Sequence, residues 1–251
     1  MAIASACVAP TAGAAIPAKK TAPIRVLVTN DDGVSADGID ALVEALRTQP
    51  KVKLTVVAPA TNSSGTDGKT SPEPLGHSDA TTKSGYKAVA VNGFPADTIT
   101  YAFDDLKLKV DLVVSGINQG QNLGPAVDLS GTVGAAKAAA ARGVPAIAIG
   151  QGLGNPPDYA AGARELIKWF KSHRKALAKA KGKGATEAEN LNVPTCLTGK
   201  VRGVVNVSIA SGGDFVVGAD KVSCASTVSN PADDVTAFNN GFATITEVPA
   251  G

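Results

Sequence analysis

Between residues 25 and 149 the sequence repeats one unit: a short apolar run, a polar turn, and a stretch with helical spacing. That repetition constrains the fold more than any other feature. Residues 25–29 (R-V-L-V-T) are β-forming and run into Asn30-Asp31-Asp32-Gly33, after which Ile39, Leu42, Val43 and Leu46 recur at the helical period. Further strands are expected at 54–58, 88–91, 111–115 (D-L-V-V-S) and 146–149, with helices at 96–106 and 132–142. Strands alternating with helices imply an α/β domain whose parallel sheet is covered on both faces. Residues 159–179 read as a longer helix with Leu166, Ile167, Phe170 and Leu177 on its buried side. It runs out into Lys179-Ala180-Lys181-Gly182-Lys183-Gly184, a solvated loop or a phosphate-attracting flap. After Pro194 the pattern changes to short strands at 203–209, 215–217 and 242–248, expected as a small C-terminal β-rich appendage.

With 251 residues, 44% of them apolar, the chain has the means for one large core, and residues 24–251 read as one domain. Residues 1–23 differ: they are rich in Ala, Pro and Thr and contain no acid. They read either as the remnant of an export signal, with its small and apolar residues from Ala2 to Ala15 but no basic start, or as a disordered extension. Cys7 lies in that stretch, leaving Cys196 and Cys224. In a secreted or periplasmic protein such a pair forms a disulfide, whereas in a cytosolic one it stays as two buried thiols. No later segment reaches the roughly 18 consecutive apolar residues that a membrane span needs. Lys plus Arg (24) nearly balance Asp plus Glu (22), so a small charged substrate suits the chain better than a nucleic-acid polymer or a membrane. Aromatic residues make up 4%, which leaves few stacking platforms and implies loose base specificity.

In open α/β sheets, ligands sit beyond the carboxyl ends of the strands. The first strand delivers Asp31 and Asp32, the second leads to Ser63-Ser64-Gly65, and the strand at 111–115 delivers Ser115-Gly116-Ile117-Asn118. Carboxylate, hydroxyl and amide oxygens are hard ligands suited to magnesium, manganese or calcium. Taken singly, Asp31-Asp32 would read as an Asx turn, Asn118 as a turn residue and Ser130 as an ordinary helix cap. Their coincidence at strand ends is what points to a site. The run from Gly116 to Gly124 is rich in Gly and Asn, and Ser130-Gly131-Thr132 opens a helix, where free amides and the helix dipole make a phosphate cradle. Other chemistries lack their residues. His77 and His173 are placed as surface histidines, in a polar loop and on the long helix, with no metal spacing between them. There is no G-x-x-x-x-G-K-[ST] loop, no G-x-S-x-G elbow and no H-E-x-x-H helix. An aspartyl-nucleophile phosphatase needs D-x-D after the first strand, and here the position two after Asp31 is Gly33.

In order and spacing, Val28-Thr29-Asn30-Asp31-Asp32-Gly33-Val34, Val56-Val57-Ala58-Pro59 with Ser64-Gly65, Val91-Asn92-Gly93-Phe94-Pro95-Ala96-Asp97, the run from Val113 to Gly120 with Asn122-Leu123-Gly124, and Ser130-Gly131-Thr132-Val133 resemble the SurE family. Asn190-Leu191-Asn192-Val193-Pro194 and the run from Asn240 to Thr246 resemble two later landmarks. The resemblance implies a Rossmann-like three-layer α/β/α sandwich, 5′/3′-nucleotidase or broader acid-phosphatase activity on nucleotides and other small phosphate esters, and a divalent metal. It also implies homodimers or homotetramers built by exchange of C-terminal elements. By position, Asp31, Asp32, Ser64 and Asn118 are similar to the family's metal ligands, and Asn122 with Ser130, Gly131 and Thr132 to its phosphate-contacting loop; Asp31 and Asp32 then carry the catalysis. The chain departs from the family pattern at Ala126, where an acid is common, and carries Asp128 instead. That departure keeps a non-catalytic nucleotide- or metal-binding protein as the alternative.

Overall fold

Alternation along the strands sorts the apolar residues into two cores, one on each face of a single sheet. In the computed structural model, which describes residues 22–213 and 215–250, Val26 and Val28 of β1 (Ile24–Thr29) face one way and Leu27 the other. The first core gathers Ile39, Leu42, Val43 and Leu46 from α1 (Asp37–Arg47) with Leu166, Phe170 and Leu177 from α4 (Tyr159–Ala180). The helical residues expected to be buried there are buried, with Ile167 packed at the margin. The second core lies under α2 (Pro95–Thr100) and α3 (Gly131–Ala141). Helix α3 contributes Ala135, Ala136, Ala139 and Ala140, all buried, against Ala146 and Ala148 of β6 (Ala146–Gln151). Small residues on both surfaces let the helix approach the sheet closely, which carries its N-terminus to the strand ends.

The remaining strands are β2 (Val52–Pro59), β3 (His77–Thr81), β4 (Lys87–Val91), β5 (Leu112–Gln119), β7 (Glu187–Val193), β8 (Val204–Asn206) and β9 (Ala243–Pro249), with α5 (Asp234–Asn239) before the last. They form one nine-stranded sheet in the order β3-β4-β2-β1-β5-β6-β7-β9-β8. From β4 through β7 the neighbours are parallel; β3 runs antiparallel to β4 and β9 antiparallel to β7, while β8 lies parallel to β9. The chain winds outward from β1 to β2 and β4, then returns to lay β5, β6 and β7 on the other side. The switch point therefore lies between β1 and β5, whose Thr29 and Ser115 pair. This is a Rossmann-like three-layer sandwich.

The structure differs from the sequence expectation at several points, among them β7 and α5, where no element was expected. The C-terminal strands extend the main sheet: β9 pairs along β7, satisfying backbone groups that an edge would leave open, and β8 pairs with β9. Residues 215–217 are not a strand and precede a single 3₁₀ turn at Ala219–Lys221. Helix α2 ends at Thr100 and continues as a wider π-type turn over Tyr101–Asp105. His77 begins β3 rather than lying in a loop. Cys196 and Cys224 form a disulfide that ties the segment after β7 to the loop before α5. The two readings of residues 1–23 fall almost wholly outside the described residues.

Candidate active site

Strand β1 ends in Asn30, Asp31 and Asp32 at the switch point. Asp31 is buried, with 2% of its surface exposed, and its Oδ1 accepts a hydrogen bond from the Thr132 hydroxyl in the first turn of α3. Gly131 is pressed against it: a Cβ there would stand 3.0 Å from the Asp31 Cβ. Burial pushes the Asp31 carboxyl up to about 6, opposed by the Thr132 hydroxyl and reinforced by the charge of Asp32. Asp32 is half-buried; its Oδ2 accepts the Gln119 N–H at 3.1 Å and its Oδ1 faces Asn62 Nδ2 at 3.5 Å. Burial raises its pKa too, with the Gln119 N–H pulling the other way.

The loop after β2 folds back over these carboxylates. Ser63 N–H donates to the Asp31 carbonyl at 2.7 Å, Thr66 Oγ1 donates to the Ser63 carbonyl at 2.7 Å, and Asp67 N–H reaches the Leu129 carbonyl at 3.3 Å. Ser64 is exposed, one residue beyond the anchor on Asp31. Further along, Ser71 N–H donates to both carboxylate oxygens of buried Asp97, at 3.0 and 3.1 Å, and Asp97 Oδ2 also accepts the Phe94 N–H that opens α2. One buried aspartate thus caps a helix and holds down the far end of the loop.

On the β5 side, Asn118 is 9% exposed and its Nδ2 donates to the Gly120 carbonyl at 3.0 Å. Ser130 is buried and caps α3, its hydroxyl accepting from Val133 N–H at 3.1 Å. Asn122 is buried, and its Nδ2 has no hydrogen-bond partner among the described residues. The structure therefore joins Asp31, Asp32, Gly131 and Thr132 directly, brings the Ser64 loop onto Asp31, and links the end of β5 to Asp32 through Gln119. The Thr132 hydroxyl, expected on a phosphate, is engaged with Asp31.

Sequence reasoning missed Gln119, Asn62 and Tyr159. With Asp32, Asp37 and Pro157 they line a cleft of about 350 Å³. The Tyr159 ring is half-buried, and burial, with the charges of Asp32 and Asp37, pushes its hydroxyl up to about 12, so it stays a proton donor. Its position at the first residue of α4, behind the Asp158 cap, gave no signal beyond that of an ordinary helix start. A larger cleft of about 1040 Å³, with Trp169, His173 and Glu189 in its wall, contains none of the carboxylates at the switch point. Asp128 is exposed and belongs to a third cleft, beside Ala210 and Pro249. His77 is exposed, its ring 4.7 Å from Tyr101, and His173 stacks on Trp169 at 4.5 Å; neither joins the carboxylates.

The donor set fits a hard divalent cation. A buried carboxylate, Asp31, and a half-buried one, Asp32, are adjacent with no Lys or Arg paired to either among the described residues, and Asn30 Oδ1 and Ser115 Oγ, at the ends of β1 and β5, are buried without partners among the described residues. Among the described residues no group of three or more His, Cys, Asp or Glu side chains gathers as a metal site, so the oxygens of Asp, Asn and Ser are the ligands on offer.

Fold and site together define an α/β protein with an acidic centre at the switch point, facing the N-terminus of a helix. The sequence profile described as Survival protein SurE matches residues 26–212, and the chain belongs to the SurE family. It is 49% identical over 132 residues to a protein named 5′-nucleotidase SurE from Carboxydothermus hydrogenoformans, covering 51% of this chain and 50% of that one. To the 5′-nucleotidase SurE of Thermosipho melanesiensis it is 38% identical over 182 residues, 72% of this chain and 69% of the other. The chain spans about half the length of the Carboxydothermus relative. The crystal structure of SurE protein from Aquifex aeolicus superposes with a TM-score of 0.72 at 25% identity, covering 90% of this chain and 94% of that one.

Proposed function

We propose that the protein is a divalent-metal-dependent phosphomonoesterase that hydrolyses nucleoside 5′- and 3′-monophosphates and other small phosphate monoesters, with the acid-phosphatase breadth expected of few base-reading groups. The observation that carries this reading is electrostatic. A buried and a half-buried carboxylate without a cationic partner among the described residues call for a cation, and the α3 N-terminus beside Asp31 calls for an anion. A metal ion and a phosphate satisfy both demands at once.

Asp31, Asp32, Ser64 and Asn118 would hold magnesium, manganese or calcium. When bound, the ion supplies a Lewis acid for the phosphoryl oxygens and for water. The protein's own groups do the rest. Thr132 Oγ–H fixes the orientation of Asp31, and Gln119 N–H fixes that of Asp32. The amides at the start of α3, with Asn122 of the preceding loop, are the groups assigned to the charge of the phosphate. The loop pinned by Ser63 and Ser71 keeps Ser64 next to its anchor on Asp31. The cleft walled by Tyr159, Pro157 and Asn62 takes the alcohol part of the ester, with the tyrosine ring as a sequence-tolerant platform for a base. Names of the relatives agree with a 5′-nucleotidase. Assembly into dimers or tetramers belongs to the same reading and is tested by light scattering.

The decisive variant is Asp31→Asn. Phosphate release should fall by more than a hundredfold while the circular dichroism spectrum is unchanged; a folded variant with wild-type turnover would overturn the assignment.

A further inference from the structure

The function proposed above leaves unexplained two asparagines that lie wholly buried on β7. Asn190 and Asn192 sit two residues apart on β7 and so share one face of the sheet, each 0% exposed. Buried amides carry a desolvation penalty, which the bonds they make offset in full for Asn192 and in part for Asn190, whose Oδ1 has no partner among the described residues. Asn192 Oδ1 accepts the Asn122 N–H at 2.7 Å, and Asn192 Nδ2 donates to the Asn122 carbonyl at 3.0 Å. Asn190 Nδ2 donates to the same carbonyl at 2.9 Å. One side-chain amide thus behaves as a strand partner would, engaging both the N–H and the C=O of a single residue. Only a planar group with a donor and an acceptor can do this, which is the chemistry of Asn and Gln.

The neighbouring strand makes room for that reach. Gly150 of β6 pairs in register with Asn192, and a Cβ on Gly150 would lie 2.6 Å from Asn192 Oδ1 and 2.7 Å from the Gly120 carbonyl. A glycine is required for the side chain to cross to the Asn122 loop. The outcome is a residue whose backbone is tied at both ends while its own side-chain Nδ2 stays buried and unbonded.

We infer that Asn190 and Asn192 are positioning residues: they pin the backbone of Asn122 and so fix the loop that runs from Asn118 to the start of α3, where the proposed phosphate binds. The inference rests on the phosphomonoesterase reading, because the pinned loop needs an anion to serve. It adds a fixed orientation, supplied from a strand outside the Asp31 and Asp32 centre.

The test compares the wild type with Asn192→Ser, Asn190→Ala and Thr244→Val, the last altering a buried β9 residue in register with Asn192 but outside the clamp. Inorganic phosphate binding is measured by calorimetry in saturating manganese, manganese binding is measured separately, and KM and kcat are taken for p-nitrophenyl phosphate. Asn192→Ser should weaken phosphate binding and raise KM at least tenfold, Asn190→Ala about threefold, with manganese affinity unchanged. Thr244→Val, which removes a buried hydroxyl that has no hydrogen-bond partner among the described residues, should keep both thermal stability and wild-type phosphate affinity. Equal phosphate affinity in wild type and both asparagine variants would overturn the clamp, as would a parallel loss in Thr244→Val. A wild type that neither binds phosphate nor turns over would instead overturn the phosphomonoesterase reading, and the clamp with it.

Discussion

Replacing Asp31 by Asn should stabilise the metal-free protein at neutral pH, because the carboxylate is held where its charge is least welcome. Its folded pKa is about 6 against an ordinary 3.8. Between those values the folded state keeps a proton that the unfolded chain has released, so stability falls as pH rises through the window. The loss is complete above pH 6 and absent well below pH 4. A shift of about 2 pH units corresponds to about 3 kcal/mol at 1.36 kcal/mol per unit. Asn is neutral throughout and keeps an oxygen for the Thr132 hydroxyl. In thermal melts with chelator, Asp31→Asn should match the wild type near pH 4 and exceed it at pH 8 by roughly 6–12 °C, at about 2–4 °C per kcal/mol for a domain of this size. Manganese at pH 8 should then raise the melting temperature of the wild type and leave the variant unmoved. Wild-type and variant curves that stay parallel from pH 4 to pH 8 would refute the account of an uncompensated buried charge.

Other consequences are smaller in scope. Tyr159→Ala should raise KM for nucleoside monophosphates about tenfold, within the roughly 1–3 kcal/mol expected of one base–aromatic contact, and change p-nitrophenyl phosphate turnover little; equal effects on both substrates would remove the ring from the base site. Paired serine replacement of Cys196 and Cys224, 28 residues apart, should lower unfolding free energy in urea by roughly 3–4 kcal/mol while phosphate release at 25 °C persists. Gly116→Ala would drive a Cβ onto the Ile149 carbonyl oxygen and within 2.7 Å of Ile149 Cγ2, at a φ of +136°. The variant should lose more than about 2 kcal/mol of stability and, with the Asn118 turn displaced, its affinity for manganese.

The parallel core of this fold was legible because its strands are continuous apolar runs and its helices keep strict spacing, as Ile39, Leu42, Val43 and Leu46 do. Strand β3 was not, because His77 to Thr81 is an exposed edge with a polar sequence. Strand β7 hid for the opposite reason: its interior positions are Asn190 and Asn192, whose burial is justified only by a loop nearly 70 residues earlier. The helical pattern over 96–106 gave no warning of the wider turn at Tyr101, where the register changes. At the candidate site, Asp31, Asp32 and the Ser130 cap could be read from their places after a strand and before a helix. Gln119 acts through its backbone and Tyr159 through its place in space, and neither leaves a residue pattern.

The central claim is that a metal ion between these carboxylates serves a phosphate ester bound at the start of α3. Its most direct test is phosphate release by purified protein from 5′- and 3′-nucleoside monophosphates and p-nitrophenyl phosphate, with magnesium, with manganese and with chelator. The account predicts release from nucleotides with at least one of the metals and none with chelator. Folded protein that releases no phosphate with either metal would contradict it and favour a binding protein instead.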